Sequence, residues 1–403
     1  MPDALEVYLG TKEFRAFQRA LHERPPKSVR MRVDRSSESL PFEHEPVPWY
    51  PLGFKLIDPK VRAGATLEYA VADFYIQDSA SMLPLALLDI QPDDRVCDLC
   101  AAPGGKASAI AELLGTNGVL VANEVIAGRI DVLRYSLART GRANYLVTNL
   151  DPDQLAQEFP ANFDKVLVDV PCSGQSLLGR DRQSESAFAE NHVLHCAARA
   201  RRILQSAVQL LRPGGTLVLS TCTFSPEENE DQVTWLHSEY PGLFRAIEKS
   251  RLAPWKSNLG EGCYRLWPHR DSCAGGFAAA LQLDESSPSL ARLSQDESSR
   301  FTKKSKTTHN RSETNRFRKP KNEKNRRDDC SRGNTRSRTD RNPGNLSPNL
   351  DLVGKLSIPF FQSESYWYGF ESGVQSWIEE CELHLEHRIR TAIPRIEIGR
   401  AHV

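Results

Sequence analysis

Five short apolar runs separated by segments of helical pattern constrain the fold more than any other feature of this chain. The runs lie at residues 94–100, 118–124, 144–148, 163–169 and 214–222. Helical patterns occupy residues 109–114, 129–140 and 193–211, and the last stops at Arg212-Pro-Gly-Gly. Buried strands that alternate with helices form parallel sheets. The sequence therefore predicts an α/β fold, with a terminal hairpin formed by residues 264–267 and 276–283.

Composition divides the 403 residues into four predicted segments. Residues 1–75 combine a helical pattern from Leu5 to Leu21 with an alternating strand pattern at residues 28–33, which predicts a small α+β module. Residues 76–284 contain the sheet. Residues 285–348 have almost no apolar side chain and predict a disordered linker. Residues 349–403 are again rich in aromatics and predict a short structured tail.

Charge is unevenly distributed although Lys+Arg and Asp+Glu both number 52. Between residues 300 and 341 there are 16 basic and 5 acidic residues, a net charge of +11. The remaining residues hold 36 basic and 47 acidic groups, a net charge of −11. We call residues 300–341 the basic segment. It is either a solvated linker or a flexible tether for a polyanion.

Nine scattered cysteines, an odd number, argue against a disulfide framework. The first residues are acidic and polar, unlike a secretory signal, and no apolar run approaches the ~20 residues that a membrane-spanning helix needs. We therefore expect a cytoplasmic protein without a membrane-spanning segment. Cys172 and Cys222 lie 50 residues apart without the partner spacing of a zinc site, and strand alternation separates Cys97 from Cys100, so these two are expected in the core and no metal is expected.

A turn rich in small residues follows the first apolar run, in the sequence Asp98-Leu-Cys-Ala-Ala-Pro-Gly-Gly-Lys106. Small residues allow a bound ligand to approach the backbone, and open parallel sheets bind ligands at the carboxyl ends of their strands. The spacing is not that of a P-loop, so ATP and GTP are not predicted. An ordinary tight turn would explain the glycines equally well.

Acidic residues follow the next two runs. Glu124 is placed where the ribose hydroxyls of an adenosine ligand would bind, and Asp151 is placed to reach the adenine amine. Either residue alone is more often a solvated loop residue. Because both residues follow strands that end at the same edge of the predicted sheet as the glycine turn, a role in binding the ligand is favoured.

Two cysteines occur in the most specific motifs, Asp169-Val-Pro-Cys172-Ser-Gly and Ser220-Thr-Cys222-Thr-Phe-Ser-Pro-Glu-Glu-Asn-Glu. Each cysteine follows an apolar strand, and if the two strands are neighbours, both thiols reach the same edge of the sheet. Two thiols at that position suit covalent catalysis on an electrophilic ring. Burial as small apolar side chains and a metal pair are the alternatives.

These three motifs resemble, in order and spacing, those of the Sun-domain family of S-adenosylmethionine-dependent RNA cytosine-5 methyltransferases. The resemblance extends over roughly residues 1–283 and is greatest to the bacterial RsmF-type enzymes that modify ribosomal RNA. It implies a Rossmann-like methyltransferase sheet. It also implies an N-terminal module that positions RNA, S-adenosylmethionine as cofactor, and methylation of cytosine C5, with 16S ribosomal RNA as the expected substrate. A monomer is expected.

The resemblance also implies residue roles. Cys222 would attack C6 of the base, Asp169 would contact N3, and Cys172 would assist proton loss from C5 and release of the enzyme. If the two cysteines exchanged roles, the arrangement of the DNA enzymes would apply, but the Thr-Cys motif argues against this. The cofactor would be bound by Cys100, Ala101, Ala102, Pro103, Gly104, Gly105, Lys106, Glu124, Arg129, Asp151 and Asp169. Lys106 would lie near Asp169 or face solvent.

Two positions depart from the family pattern. Gln175-Ser176 stand where Glu or Thr and then Gly are usual, and Phe277-Ala278 stand where two aromatics are usual. Neither position is assigned a chemical step. Trp49, Tyr50, Tyr366 and Trp367 are either core residues or platforms on which RNA bases stack.

Three other functions remain open on the sequence alone. The substrate could be transfer RNA, or the chain could be a noncatalytic RNA-binding factor in ribosome assembly. A binding factor would need neither thiol, however. Amino-group methylation uses an Asn/Asp-Pro-Pro-Tyr motif, whereas this chain has Asp169-Val-Pro-Cys at that position.

Overall fold

The N-terminal residues form two helices, α1 (Asp3–Leu9) and α2 (Thr11–Leu21), where the sequence predicts one. Gly10 separates them with a φ of +76°, a conformation that non-glycine residues rarely adopt. The fold comes from a computed structural model that describes residues 3–180, 182–287, 360–363 and 366–369. Within these residues no helix is both long and apolar enough to cross a membrane.

A four-stranded antiparallel sheet follows the two helices, in the spatial order β2-β3-β1-β4. Its strands are β1 (Ser28–Met31), β2 (His44–Pro46), β3 (Gly53–Leu56) and β4 (Phe74–Ile76). The short helices α3 (Leu67–Ala70) and α4 (Leu83–Leu88) lie on either side of β4 in the chain. The predicted α+β character of residues 1–75 is therefore observed.

The large sheet has eight strands and follows the predicted apolar runs. They are β5 (Arg95–Asp98), β6 (Val119–Asn123), β7 (Tyr145–Thr148), β8 (Phe163–Asp169), β9 (Leu211–Thr221), β10 (Phe244–Ala246), β11 (Cys263–Leu266) and β12 (Gly276–Leu283). The spatial order is β10-β12-β9-β8-β5-β6-β7, and β11 also pairs with β12. Strands β7, β6, β5, β8 and β9 are parallel, and β12 is antiparallel to β9. The predicted hairpin is confirmed as the antiparallel pair of β11 and β12.

Helices cover both faces of this sheet. They are α5 (Gly105–Leu113), α6 (Ile130–Ala138), α7 (Pro152–Glu158), α8 (Glu190–Leu210), α9 (Glu230–Glu239) and the short α10 (Pro268–Asp271). Side chains alternate along the strands, so Cys97 packs with Leu155 and Leu204 on one face. Leu120 packs with Ile110 and Leu133 on the other. The α/β fold predicted from the sequence is confirmed.

The direction in which successive strands are added to the sheet reverses at β5. The chain leaves β5 toward β6 and β7, then returns to add β8 and β9 on the other side of β5. Ligands of open α/β sheets bind outside the carboxyl ends of the strands at such a point. The fold therefore predicts a site where β5 and β8 end, at Asp98 and Asp169.

A buried ion pair joins the N-terminal sheet to α5. Arg30 on β1 lies 3.0 Å from Glu112 and donates to Ser108 at 2.9 Å, both on α5. Arg30 also donates to Gln77 at 3.1 Å. Because each of these polar groups has a partner, the interactions among them offset the desolvation penalty of burying the charges. This contact fixes the N-terminal module against the helix that begins at the glycine turn.

A hairpin is described within the predicted C-terminal tail, where β13 (Phe360–Ser363) pairs antiparallel with β14 (Tyr366–Gly369). Apart from residues 285–287, the predicted linker 285–348 lies outside the described residues, and so does the basic segment. The rest of the predicted tail 349–403 lies outside them as well.

Candidate active site

A cavity of about 310 Å³ opens at the carboxyl ends of β5, β8 and β9. Its volume lies within the range of small-molecule sites. Residues of the glycine turn line it, together with Asp98 at the end of β5, Asp169 at the end of β8, and Tyr75 of the N-terminal module. The lining includes Tyr75, Gln77, Asp78, Asp98, Cys100, Ala101, Ala102, Pro103, Gly105, Lys106, Asp169, Arg180, Ser220 and Cys222.

The two cysteines of the motifs meet at this edge because β8 and β9 are neighbouring strands. Asp169 on β8 pairs with Ser220 on β9, and each cysteine follows a few residues later. Their Sγ atoms are 3.2 Å apart, and the backbone N–H of Cys222 donates to Sγ of Cys172 at 3.3 Å. The hydrogen bond between the two thiols, together with burial, raises the pKa of Cys172 well above its usual value, and the N–H of Cys222 offsets only part of this increase. Cys222 lies on the cavity wall.

Asp169 is held through both carboxylate oxygens. Lys106 Nζ lies 2.6 Å from Oδ2, and the Ser220 hydroxyl donates to Oδ1 at 2.6 Å. Burial opposes the charge of Lys106, but the neighbouring Asp169 outweighs it, so the pKa of Lys106 is raised. Of the two orientations that the sequence leaves open for Lys106, the structure has the one beside Asp169.

Asp98, at the end of β5, is a buried acid that was not predicted as a site residue. Its side chain is 1% exposed, and both carboxylate oxygens lack a hydrogen-bond partner among the described residues. Burial, together with the negative charge of Asp169, raises the pKa of Asp98 to about 7. A polar residue at the end of an apolar strand was the available sequence signal.

Replacing Asp98 by asparagine is expected to remove a pH dependence of stability. The carboxyl ionises near pH 3.8 in the unfolded chain but near pH 7 in the folded protein. Its contribution to stability is therefore fully present below pH 3.8 and is lost as the pH rises through 7. Three pKa units correspond to about 4 kcal/mol.

Urea unfolding of wild type and Asp98→Asn measures this effect. Between about pH 4 and about pH 8, the free energy of unfolding of the variant should rise by about 4 kcal/mol relative to that of wild type. Comparing the two proteins at each pH cancels the titration of groups that do not interact with Asp98. A difference that stays constant over this range would contradict the raised pKa.

The glycine turn connects β5 to α5 as predicted, and most of it lines the cavity. Gly104 does not, because it faces α6: a Cβ there would lie 2.5 Å from Cβ of Ser136. Its φ of +105° also disfavours other residues. Gly104 is therefore required by close packing, whereas Gly105 and its neighbours face the cavity.

The buried Glu124 and the partly exposed Arg129 form an ion pair behind the turn. Glu124 is 2% exposed, accepts a hydrogen bond from the N–H of Ile126 at 2.9 Å, and lies 3.0 Å from Arg129. Arg129 also donates to the carbonyl oxygen of Ala102 at 2.5 Å. Neither residue lines the cavity as it stands, but both are fixed to a turn that does.

Asp151 caps α7 in this structure. Its carboxylate accepts from the N–H of Asp153, and its own N–H donates to Gln154, each at 3.2 Å. Arg202 lies 3.3 Å from its other oxygen. A capping box is a structural role, and the structure does not bring Asp151 to the cavity.

Side chains near β4 and from the loop after Cys172 complete the wall and were not predicted; they are Tyr75, Gln77, Asp78, Leu177, Arg180 and Arg182. Asp78 forms an ion pair with Arg180, and Tyr75 and Gln77 face the turn. Trp49 and Tyr50 are 2% and 5% exposed, so they are core residues and the suggestion that they stack on RNA bases is wrong. The side chains of Tyr366 and Trp367 lie outside the described residues.

Comparisons with known proteins show that this chain is similar to methyltransferases. Residues 85–282 match the family described as 16S rRNA methyltransferase RsmB/F. Ribosomal RNA small subunit methyltransferase F of Klebsiella pneumoniae is 37% identical over 244 residues, which cover 59% of this chain and 51% of that protein. The chain thus spans about half the length of the curated relatives it matches.

Two solved structures from Pyrococcus horikoshii share the fold. A methyltransferase homolog protein has a TM-score of 0.58 and 27% identity, covering 69% of this chain and 97% of that one. NSun6, solved with SFG, has a TM-score of 0.62 and 21% identity, covering 70% of this chain and 98% of that one.

Proposed function

We propose that this chain, whose residues 85–282 match the RsmB/F family of methyltransferases, is a member of that family and methylates C5 of a cytosine in RNA, with 16S ribosomal RNA as the expected substrate. The observation that carries the proposal is the arrangement at one sheet edge of two thiols 3.2 Å apart and a carboxylate paired with Lys106. Methylation of an amino group or of a hydroxyl would need neither thiol.

The residues around the cavity fit S-adenosylmethionine. The unpartnered Asp98 carboxylate offers an acceptor for a cationic ammonium group, and Gly105 leaves the backbone of the turn open to a ligand. Cys100 to Lys106 would hold the cofactor, with Glu124 and Arg129 supporting the turn. When bound, this cofactor supplies an electrophilic methyl group attached to a sulfonium.

Cys222 is the proposed nucleophile. Cytosine C5 is a poor nucleophile, but addition of a thiolate to C6 converts the ring into an enamine whose C5 can attack a methyl group. Cys222 lies on the cavity wall beside Asp169, where a base would enter. Because the ring must be approached from above its plane, the target base has to leave its stack.

Asp169 is placed to contact the edge of the same base. When the thiolate adds to C6, negative charge develops toward N3, and a proton held between the carboxylate and N3 absorbs it. Lys106 and Ser220 each occupy one oxygen of Asp169, which fixes the orientation of the carboxylate. Asp169 therefore supplies the site for the proton, and Lys106 and Ser220 fix the orientation of that site.

Replacing Cys172 by alanine is expected to leave a covalent protein–RNA adduct that accumulates. Cys172 Sγ is 3.2 Å from Cys222 Sγ, so it is placed to act when C5 loses its proton and Cys222 is released. Without it, addition and methyl transfer proceed but elimination is slow. Denaturing gel electrophoresis with labelled RNA should show the adduct as the main species. Turnover at the wild-type rate without any adduct would contradict this role.

Bisulfite sequencing of total RNA from cells with and without the gene tests the proposed function. Loss of one 5-methylcytosine from 16S ribosomal RNA supports the proposal and identifies the nucleotide. Loss of a mark from transfer RNA instead would retain the chemistry and change the substrate. No change in either RNA, together with no transfer by the purified protein, would overturn it.

A further inference from the structure

We propose that Glu228 is a positioning residue that sets the distance between the two thiols by binding the residue after each of them. The inference rests on the proposed function for its kinetic consequence, but its structural part can be tested without methyl transfer. Glu228 does not line the cavity, and its carboxylate accepts hydrogen bonds from Ser173 and Thr223. It lies in the turn between β9 and α9 and is 1% exposed.

The contacts of Glu228 reach both cysteine loops. Its carboxylate accepts from the N–H of Ser173 at 2.8 Å and from the Ser173 hydroxyl at 2.6 Å. The Thr223 hydroxyl donates to the same carboxylate at 3.3 Å. Ser173 follows Cys172, and Thr223 follows Cys222. One side chain therefore holds the two backbones that carry the thiols.

The environment makes these contacts strong. Ser173 and Thr223 are completely buried, and their hydroxyl oxygens are 2.9 Å apart. Hydrogen bonds to a charged acceptor in a buried site are shorter and stronger than those between neutral groups. Burial raises the pKa of Glu228, and the hydrogen bonds from Ser173 partly offset this increase. Loss of the carboxylate would leave a buried N–H and two hydroxyls without this acceptor.

A second set of hydrogen bonds joins the same two loops. It involves Gln175 and Ser176, the two residues that differ from the usual family pattern. Gln175 accepts from the N–H of Phe224 at 2.9 Å and donates to the Ser225 hydroxyl at 2.6 Å. The N–H of Ser176 donates to the carbonyl oxygen of Cys222 at 3.1 Å. These bonds join the two loops at Cys222 and at the residues that follow it, whereas Glu228 binds the residue that follows each cysteine. Removing Glu228 should therefore loosen the thiol pair without releasing the loops.

The rate at which diamide joins the two thiols, divided by the rate at which iodoacetamide alkylates them one at a time, measures their alignment. The division is needed because the charge of Glu228 also raises the pKa of Cys172, and alkylation reports that effect alone. Diamide takes up two hydrogen atoms as the two Sγ atoms form a disulfide, and mass spectrometry of the 172–222 linked peptide reports the initial rate. We expect Glu228→Gln to lower this ratio about tenfold, because its amide group places a donor where an acceptor is needed. Thr223→Val removes the hydrogen bond from the Thr223 hydroxyl to Glu228 and should slow disulfide formation less. It replaces Glu228→Gln in this test if that variant does not fold.

A matched control is Asp164→Asn. Asp164 lies at the other end of β8, is 7% exposed, and accepts from the N–H of Arg95 at 2.7 Å. Its replacement should lower the melting temperature but leave the diamide reaction at the wild-type rate. This separates a general loss of stability from an effect on the thiols.

Methyl transfer provides the kinetic test. A positioning role predicts that Glu228→Gln lowers kcat about 10- to 100-fold, while KM for RNA and for S-adenosylmethionine changes by less than about twofold. Glu228→Asp, which keeps the charge, should recover part of the loss. A ratio of diamide linkage to alkylation in Glu228→Gln equal to that of wild type would overturn the proposal. A wild-type protein that transfers no methyl group would contradict the proposed function alone, since the diamide rates still decide the role of Glu228.

Discussion

Cys222→Ala is expected to abolish methyl transfer, with a loss of at least about 10⁴-fold in kcat, because it removes the thiol that adds to C6 of the base. Cys100 also lines the cavity, but burial raises the pKa of its thiol, so it does not replace Cys222. The sulfur of Cys172 is only 3.2 Å from that of Cys222, but its pKa is raised well above the usual value, so it is not a ready substitute. Binding of S-adenosylmethionine should persist, since the glycine turn is untouched. Transfer of labelled methyl to RNA and calorimetric titration of the cofactor measure the two effects.

Cys263→Ala is the control for Cys222→Ala. Cys263 is completely buried on β11, so its loss removes a core sulfur without altering the cavity wall. It should cost about 1 kcal/mol of stability and leave kcat close to that of wild type. If Cys222→Ala retained transfer while Cys172→Ala lost it, the two cysteines would have exchanged roles.

Asp169→Asn is expected to lower kcat by about 10²- to 10³-fold. The amide cannot hold a proton against N3, and its NH₂ group would face either the Lys106 ammonium or the Ser220 hydroxyl. Lys106 would then be a buried cation without its main partner. Single-turnover methyl transfer separates this chemical effect from changes in RNA binding.

Ser220→Ala gives the graded comparison for Asp169→Asn. It removes one hydrogen bond to the carboxylate but retains the ion pair with Lys106. We expect a loss of about tenfold or less. An Asp169→Asn enzyme within about threefold of wild type would show that this carboxylate takes no part in the reaction.

Much of the fold was predictable because strand and helix periodicity is a local property of sequence. The five parallel strands and the hairpin of β11 and β12 lie close to the predicted runs. The meeting of Cys172 and Cys222 was predicted only on the condition that their strands are neighbours. The pairing of β8 with β9 satisfies that condition.

The remaining features depend on contacts between distant residues. The pairing of Asp78 with Arg180 joins residues 102 positions apart, and no periodicity signals it. The Pro152 that follows Asp151 begins α7, and the capping role of Asp151 was not predicted; its reach toward an adenine amine stays a prediction. Glu228 belongs to a recognised motif, yet its bonds to Ser173 become visible only when the two loops are adjacent.

Covalent capture with RNA containing 5-fluorocytosine tests the central claim most directly. Fluorine at C5 leaves no proton to remove, so a ring that has been attacked at C6 and methylated at C5 stays attached to the protein. Digestion and mass spectrometry should locate the modified nucleotide on the peptide containing Cys222, and only when S-adenosylmethionine is present. A methylated RNA product formed without any attachment to this peptide would contradict the account.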